Sequence, residues 1–120
     1  MELKILEINN QTIAEVIAEE VVVNDTQDAL DMMAHADYHG AKSIIMAEKH
    51  LHRDFFDLRT GLAGDILQKY STYRMKVAVI GDFEKYKSKS LNAFIVECNR
   101  GHWVFFVPDK GTAISKIASY

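Results

Sequence analysis

Ser43-Ile44-Ile45-Met46-Ala47 decides the fold. A short apolar run without polar alternation reads as a strand buried on both faces, the mark of a parallel sheet covered by helices. Two further runs repeat it. Lys76-Val77-Ala78-Val79-Ile80 is closed by Gly81-Asp82, and Val104-Phe105-Phe106-Val107 is stopped by Pro108, which cannot donate to a ladder.

The segments around these runs carry helical spacing. Asp25 or Thr26 can cap a helix with Asp28 and Asp31 in its first turns, Ala29, Leu30, Met33 and Ala36 on its inner face, and Gly40 beyond its end. Leu62, Ala63, Ile66, Leu67 and Tyr70 mark a second helix. Ser90 can cap a third, with Leu91, Phe94, Ile95 and Cys98 on one face and Gly101 at its end. Gly111 or Thr112 begins a last helix through Ile114, Ile117 and Ala118. Glu48 to Thr60 reads as a polar loop.

The N-terminal part is harder to read. Leu3, Ile5 and Ile8 fit a strand, Asn9-Asn10 a turn, and Thr12 to Ala18 a second strand. Thr12-x-x-Glu15 also matches a helix capping box. The β-branched Val21-Val22-Val23 that follows favours the hairpin. The expected order is two strands, then αβαβαβα. That is an α/β domain over residues 1–120 with a mixed sheet of about five strands, parallel except at its N-terminal edge.

Composition fits one soluble domain. The chain has 120 residues, 48% apolar and 26% charged, and its 14 basic and 17 acidic side chains leave a net charge of −3. Clustered Lys and Arg are missing, so broad contact with nucleic-acid phosphates is not expected. No apolar stretch approaches the ~20 residues of a membrane span. The lone Cys98 precludes an internal disulfide and suits a reducing compartment. Met1-Glu2-Leu3-Lys4 does not begin a signal-peptide run, so a cytoplasmic location is the expectation.

Open α/β sheets bind ligands beyond the carboxyl ends of their parallel strands. Three loops qualify: Glu48 to Thr60, Asp82 to Ser88, and Pro108 to Gly111. In the first, Glu48-x-His50-x-His52 would project to one side of an extended segment and could hold Zn²⁺. The alternative is a solvated loop. Asp54 and Asp57, flanking Phe55-Phe56, could divide acid and base roles or simply cap helical turns. Thr60-Gly61-Leu62-Ala63-Gly64 opens the second helix. Its free N–H groups favour an anion or a phosphate on Thr60. The alternative is an N-cap threonine with small residues for tight packing. Lys85, Lys87 and Lys89 alternate around Tyr86 as a local basic strip or a solvated loop. Cys98 reads as buried and inert, and His35 and His39 as surface residues of the first helix.

Asp28-Ala29-Leu30-Asp31, Asp54-Phe55-Phe56-Asp57-Leu58, Thr60-Gly61-Leu62-Ala63-Gly64, Gln68-Lys69, Val79-Ile80-Gly81-Asp82-Phe83, Lys89-Ser90-Leu91 and Glu97-Cys98-Asn99 run through nearly the whole chain. In these stretches the chain resembles the bacterial domain-of-unknown-function family 4180. The likeness implies a bacterial cytoplasmic protein and brings no established activity. More remotely, the layout resembles a STAS domain, the fold of anti-sigma-factor antagonists, whose Asp-Ser-Ser-Gly-Leu motif takes a phosphate before its Gly. Asp57-Leu58-Arg59-Thr60-Gly61-Leu62 is the matching stretch, with Thr60 in the phosphoacceptor place and Asp57 one residue further away. The resemblance implies a non-enzymatic regulatory or protein-binding module without a cofactor, switched at Thr60, with Asp57, Gly61 and Asp82 shaping the surface. Phe55, Phe56 and Trp103 could serve an interface with a second copy. The competing expectation is a small-molecule or metal-binding protein, or an enzyme, using Glu48, His50, His52 and Asp54.

Overall fold

The structure, a computed structural model, describes residues 1–118. Its strands are β1 (Glu2–Ile8), β2 (Gln11–Ile17), β3 (Ser43–Ala47), β4 (Lys76–Ile80) and β5 (Val104–Val107). Its α-helices are α1 (Thr26–Tyr38), α2 (Leu62–Thr72), α3 (Lys89–Arg100) and α4 (Lys110–Ala118). The strands form one sheet in the order β1-β2-β3-β4-β5. β1 is antiparallel to β2, and β2 to β5 are parallel. The α/β class, the N-terminal hairpin and the mixed sheet are thus as the sequence implies. Asn9 and Asn10 make the hairpin turn with both φ angles positive, 52° and 65°, the conformation of a type I′ connection.

Strand order determines which helices share a face. Each crossover steps one strand in the same direction, and the fixed hand of β-α-β units then puts every crossover helix on one side. Accordingly Ala14, Ile44, Met46, Val77, Val79 and Phe106 pack with Ala29, Met33, Ile66, Tyr70 and Cys98 from α1, α2 and α3. The alternate residues Ile13, Ile45, Ala78, Phe105 and Val107 meet Ala113 and Ile117 of α4 on the other face. Period-two alternation in the strands supplies both cores. Helices change face only after β5, so the sheet has no internal point where crossovers diverge, the place where such folds usually open a ligand crevice.

The sheet's two edges differ. On β5, the Asn99 side chain of α3 accepts from the Phe106 N–H (2.7 Å) and donates to the Phe106 carbonyl (3.1 Å). Pro108 follows without an N–H. A carboxamide thus stands where a sixth strand would pair. Among the described residues no side chain caps β1 in this way, and Ile5 is 39% exposed on it.

Several boundaries shift for local reasons. Ser88, not Ser90, caps α3, its Oγ accepting from the Leu91 N–H at 3.1 Å. α4 begins at Lys110, because Asp109 takes the Thr112 N–H at 2.7 Å. Val21-Val22-Val23 forms no strand; the Val22 and Val23 N–H groups both go to the His50 carbonyl, at 2.9 and 3.0 Å. Residues 48–60 are not a solvated loop. They form 3-10 turns at Glu48–His50, Arg53–Phe56 and Leu58–Thr60, and His50, Leu51 and Phe55 are buried.

Candidate functional site

The polar residues after β3 are held by neighbours already present. His50 is buried, and its Nδ1 accepts from the Ala47 N–H at 2.9 Å. That leaves Nε2 as the protonated nitrogen, donating to the Ala18 carbonyl at 2.8 Å. Both ring nitrogens are used, so the imidazole has no lone pair for a metal. His52 turns its Nδ1 back to the Asp54 N–H at 3.0 Å. Glu48 points elsewhere, to the loop after β4. Lys85 donates to its carboxylate at 2.9 Å and the Tyr86 hydroxyl makes a short hydrogen bond to it. Burial and the neighbouring Glu48 carboxylate push the Tyr86 phenol well above its ordinary range. Glu48, His50 and His52 therefore do not converge, and no metal-binding group of three His, Cys, Asp or Glu occurs among the described residues.

Gly81 is part of this arrangement. A Cβ there would lie 2.8 Å from Glu48 Oε1, 2.9 Å from Glu48 Cβ and 3.0 Å from the Phe83 ring. Glycine lets the loop after β4 lie against Glu48. Above it the Phe56 ring stacks on Tyr86 (5.2 Å, 13°) and on Phe83 (6.1 Å, 29°), and Phe83 meets Phe106 edge-on at 5.3 Å. Phe55 and Phe56 thus anchor the turns to the sheet end.

The Thr60 stretch lies at the start of α2 and is exposed. Asp57 accepts from the Arg59 backbone at 3.2 Å and takes its guanidinium through Nε and Nη2, at 3.0 and 2.9 Å. That side-chain pairing holds the Asp57 carboxyl below the usual carboxylate range. Thr60 Oγ1 lies 2.7 Å from the Asp54 carbonyl and 2.9 Å from that of Asp57, and donates its single proton between them. The same oxygen accepts from the Leu62 N–H at 3.2 Å. The cap position itself belongs to Gly61, whose φ of 78° suits glycine. Gly64 is exposed, and a Cβ there would meet nothing within 4 Å, so tight packing does not account for it. Asp82 sits apart, after β4, where its side chain accepts from the Glu84 N–H at 3.3 Å. Among the described residues no hydrogen bond or ion pair joins it to Thr60 or Asp57.

Cys98 is buried against α3's neighbours, and desolvation pushes its thiol up to about 11, which keeps it protonated and unreactive at neutral pH. Trp103 packs half-buried with the Arg74 guanidinium 5.7 Å above its ring. His35 and His39 lie on the exposed side of α1's end, their rings 5.1 Å apart.

One open groove was not legible in the sequence. It measures about 620 Å³ and runs between α3 and the ends of β4 and β5, a size in the range of ligand sites, roughly 300–1,000 Å³. Phe83, Ile95, Val96 and Phe106 contribute its apolar lining, and Asp82 and Glu84 stand beside them. The helical spacing of Ile95 and Val96 was the available signal, since both cannot face the core at once.

No helix of the described chain is long and apolar enough to cross a membrane. No curated protein and no solved structure matches the chain. The family model described as "Domain of unknown function (DUF4180)" matches residues 8–117, from the end of β1 through most of α4, and the chain therefore belongs to that family.

Proposed function

We propose that the protein is a non-enzymatic regulatory module that presents the start of α2 to a protein partner, with Thr60 as its switch. The observation that carries this reading is Gly64. Glycine in a helix is about 1 kcal/mol less favourable than alanine, yet Gly64 is exposed with open space where a side chain would stand. Nothing within the fold gains from the missing side chain. An approaching backbone does, because it can come closer to α2 there.

Thr60 supplies the means of control. Its hydroxyl proton ties the turn at Asp54–Asp57 to the first turn of α2. A phosphate ester on Oγ1 removes that proton, so both carbonyls lose their donor. It also adds close to two negative charges beside Asp57. Arg59, now engaged with Asp57, is the adjacent cation and would be drawn between two anions. The turn would rearrange and the surface would become more acidic, weakening docking of a partner fitted to the unmodified form.

Thr60→Ala and Thr60→Glu test the switch. Native mass spectrometry of the protein enriched from its own host reports copies per assembly, retained small molecules, covalent phosphate and captured protein. The expectation is a stoichiometric protein partner lost by Thr60→Glu and kept by Thr60→Ala, though less tightly than by the unmodified protein, since alanine removes the hydroxyl contacts without adding charge. Identical capture by both variants would sink the switch. A retained metal or small molecule in place of a partner would favour a binding-site reading instead.

A further inference from the structure

We infer that the groove between α3 and the ends of β4 and β5 binds a basic, apolar segment of a partner protein. The site is distinct from Thr60 and goes beyond the switch proposed there. Its lining sets the chemistry. Phe83, Ile95, Val96 and Phe106 offer apolar surface, with Val96 48% exposed on α3. Asp82 and Glu84 stand at the same groove, and no lysine or arginine lines it. Lys85, the next residue along, is committed to Glu48 at 2.9 Å, and Lys87 and Lys89 beyond it are not part of the groove lining. Neither Asp82 nor Glu84 forms an ion pair among the described residues.

The mode of binding follows from the edge of β5. Both backbone groups of Phe106 belong to Asn99, and Pro108 has no N–H to offer. A partner strand cannot pair at Phe106 and Pro108, the part of β5 that lines the groove, which removes the usual backbone-driven mode of peptide capture at this site. Recognition must come through side chains: apolar ones seated against Ile95, Val96 and Phe106, and a Lys or Arg reaching Asp82 and Glu84. An amphipathic helix with cations flanking its apolar stripe meets both demands.

The test uses the whole chain and defined probes. A fluorescein-labelled peptide of about twelve residues, Leu and Arg at helical spacing, is compared with the same peptide carrying Glu for Arg. Anisotropy should rise with the Arg peptide alone, with amide shifts at Asp82–Glu84, Asn92, Ile95 and Val96. Asp82→Asn combined with Glu84→Gln should weaken binding about five-fold, the scale of two exposed ion pairs, and flatten its salt dependence. Val96→Ser should weaken it about ten-fold, the loss of one apolar anchor. Glu2→Gln with Glu20→Gln, distant acids, should leave affinity unchanged. Equal binding of both peptides, shifts confined to other surfaces, or equal loss from the distant pair would each overturn the assignment. Shift mapping on the unmodified protein stands whatever the variants do to folding. Loss of the peptide signal while the Thr60 variants still differ in partner capture would remove the groove and leave the switch.

Discussion

The turns after β3 and the loop after β4 lie at the same end of the sheet and carry the same kinds of residue, yet they spend them differently. After β3, His50, His52, Glu48 and Asp57 each have a partner inside the molecule. After β4, Asp82 and Glu84 keep carboxylate oxygens free beside exposed apolar surface. Two segments equally dense in titratable groups thus differ in use: one spends them on contacts inside the fold, and the other leaves two acids at its surface. In the loop after β4 the nearest cation, Lys85, is drawn to Glu48 across the sheet end and not to Asp82 or Glu84.

Substitution of His50 should break the contacts after β3 most severely. His50→Ala removes a fully enclosed ring and leaves the Ala47 N–H and the Ala18 carbonyl without partners. Unsatisfied buried groups cost about 1–3 kcal/mol each, so a loss of about 3 kcal/mol is expected in urea unfolding. Asp82→Asn, the matching change in the open loop, should stay within about 0.5 kcal/mol. Similar losses in the two variants would erase the contrast.

Gly81→Ala probes where the two segments touch. The added Cβ would press on the Glu48 Cβ at 2.9 Å, an atom close to the backbone with little room to yield. Overpacking of this kind costs about 1–3 kcal/mol, and about 2 kcal/mol is expected here. The midpoint in urea should fall with its slope unchanged. A neutral result would mean the loop after β4 moves freely off Glu48.

Legibility in the sequence follows the same division. β3, β4 and β5 could be read to the residue, because burial on both faces leaves an apolar run of four or five residues bounded by polar or turn-forming ones. The 3-10 turns could not, because such short turns carry no repeating apolar period. Burial of His50 depends on the Ala18 carbonyl, 32 residues earlier, and no local pattern announces such a contact. Val21-Val22-Val23 pointed to the hairpin, which forms, without joining the sheet itself: its Val22 and Val23 N–H groups go to the His50 carbonyl, and Val23 makes a single bridge with Leu51. The Thr60 stretch was visible as a helix start, but only the folded backbone separates a glycine needed for its φ, Gly61, from one the fold does not need, Gly64. Asp82, expected to help shape the surface around Thr60, lines the groove instead.

The smallest expected effect carries the most weight for function. Gly64→Ala should raise stability, by about 0.5–1 kcal/mol, since alanine restricts the unfolded chain and suits the helix while its methyl meets nothing. The same variant should bind the partner less tightly, because a methyl now stands where the partner's backbone approaches. Stability and binding would then move in opposite directions from one added carbon. Urea unfolding measures the first and partner capture the second. A gain in stability with unchanged capture would make Gly64 merely a suboptimal helix residue and would detach the start of α2 from recognition, leaving the groove at β4 and β5 as the open surface of this end of the sheet.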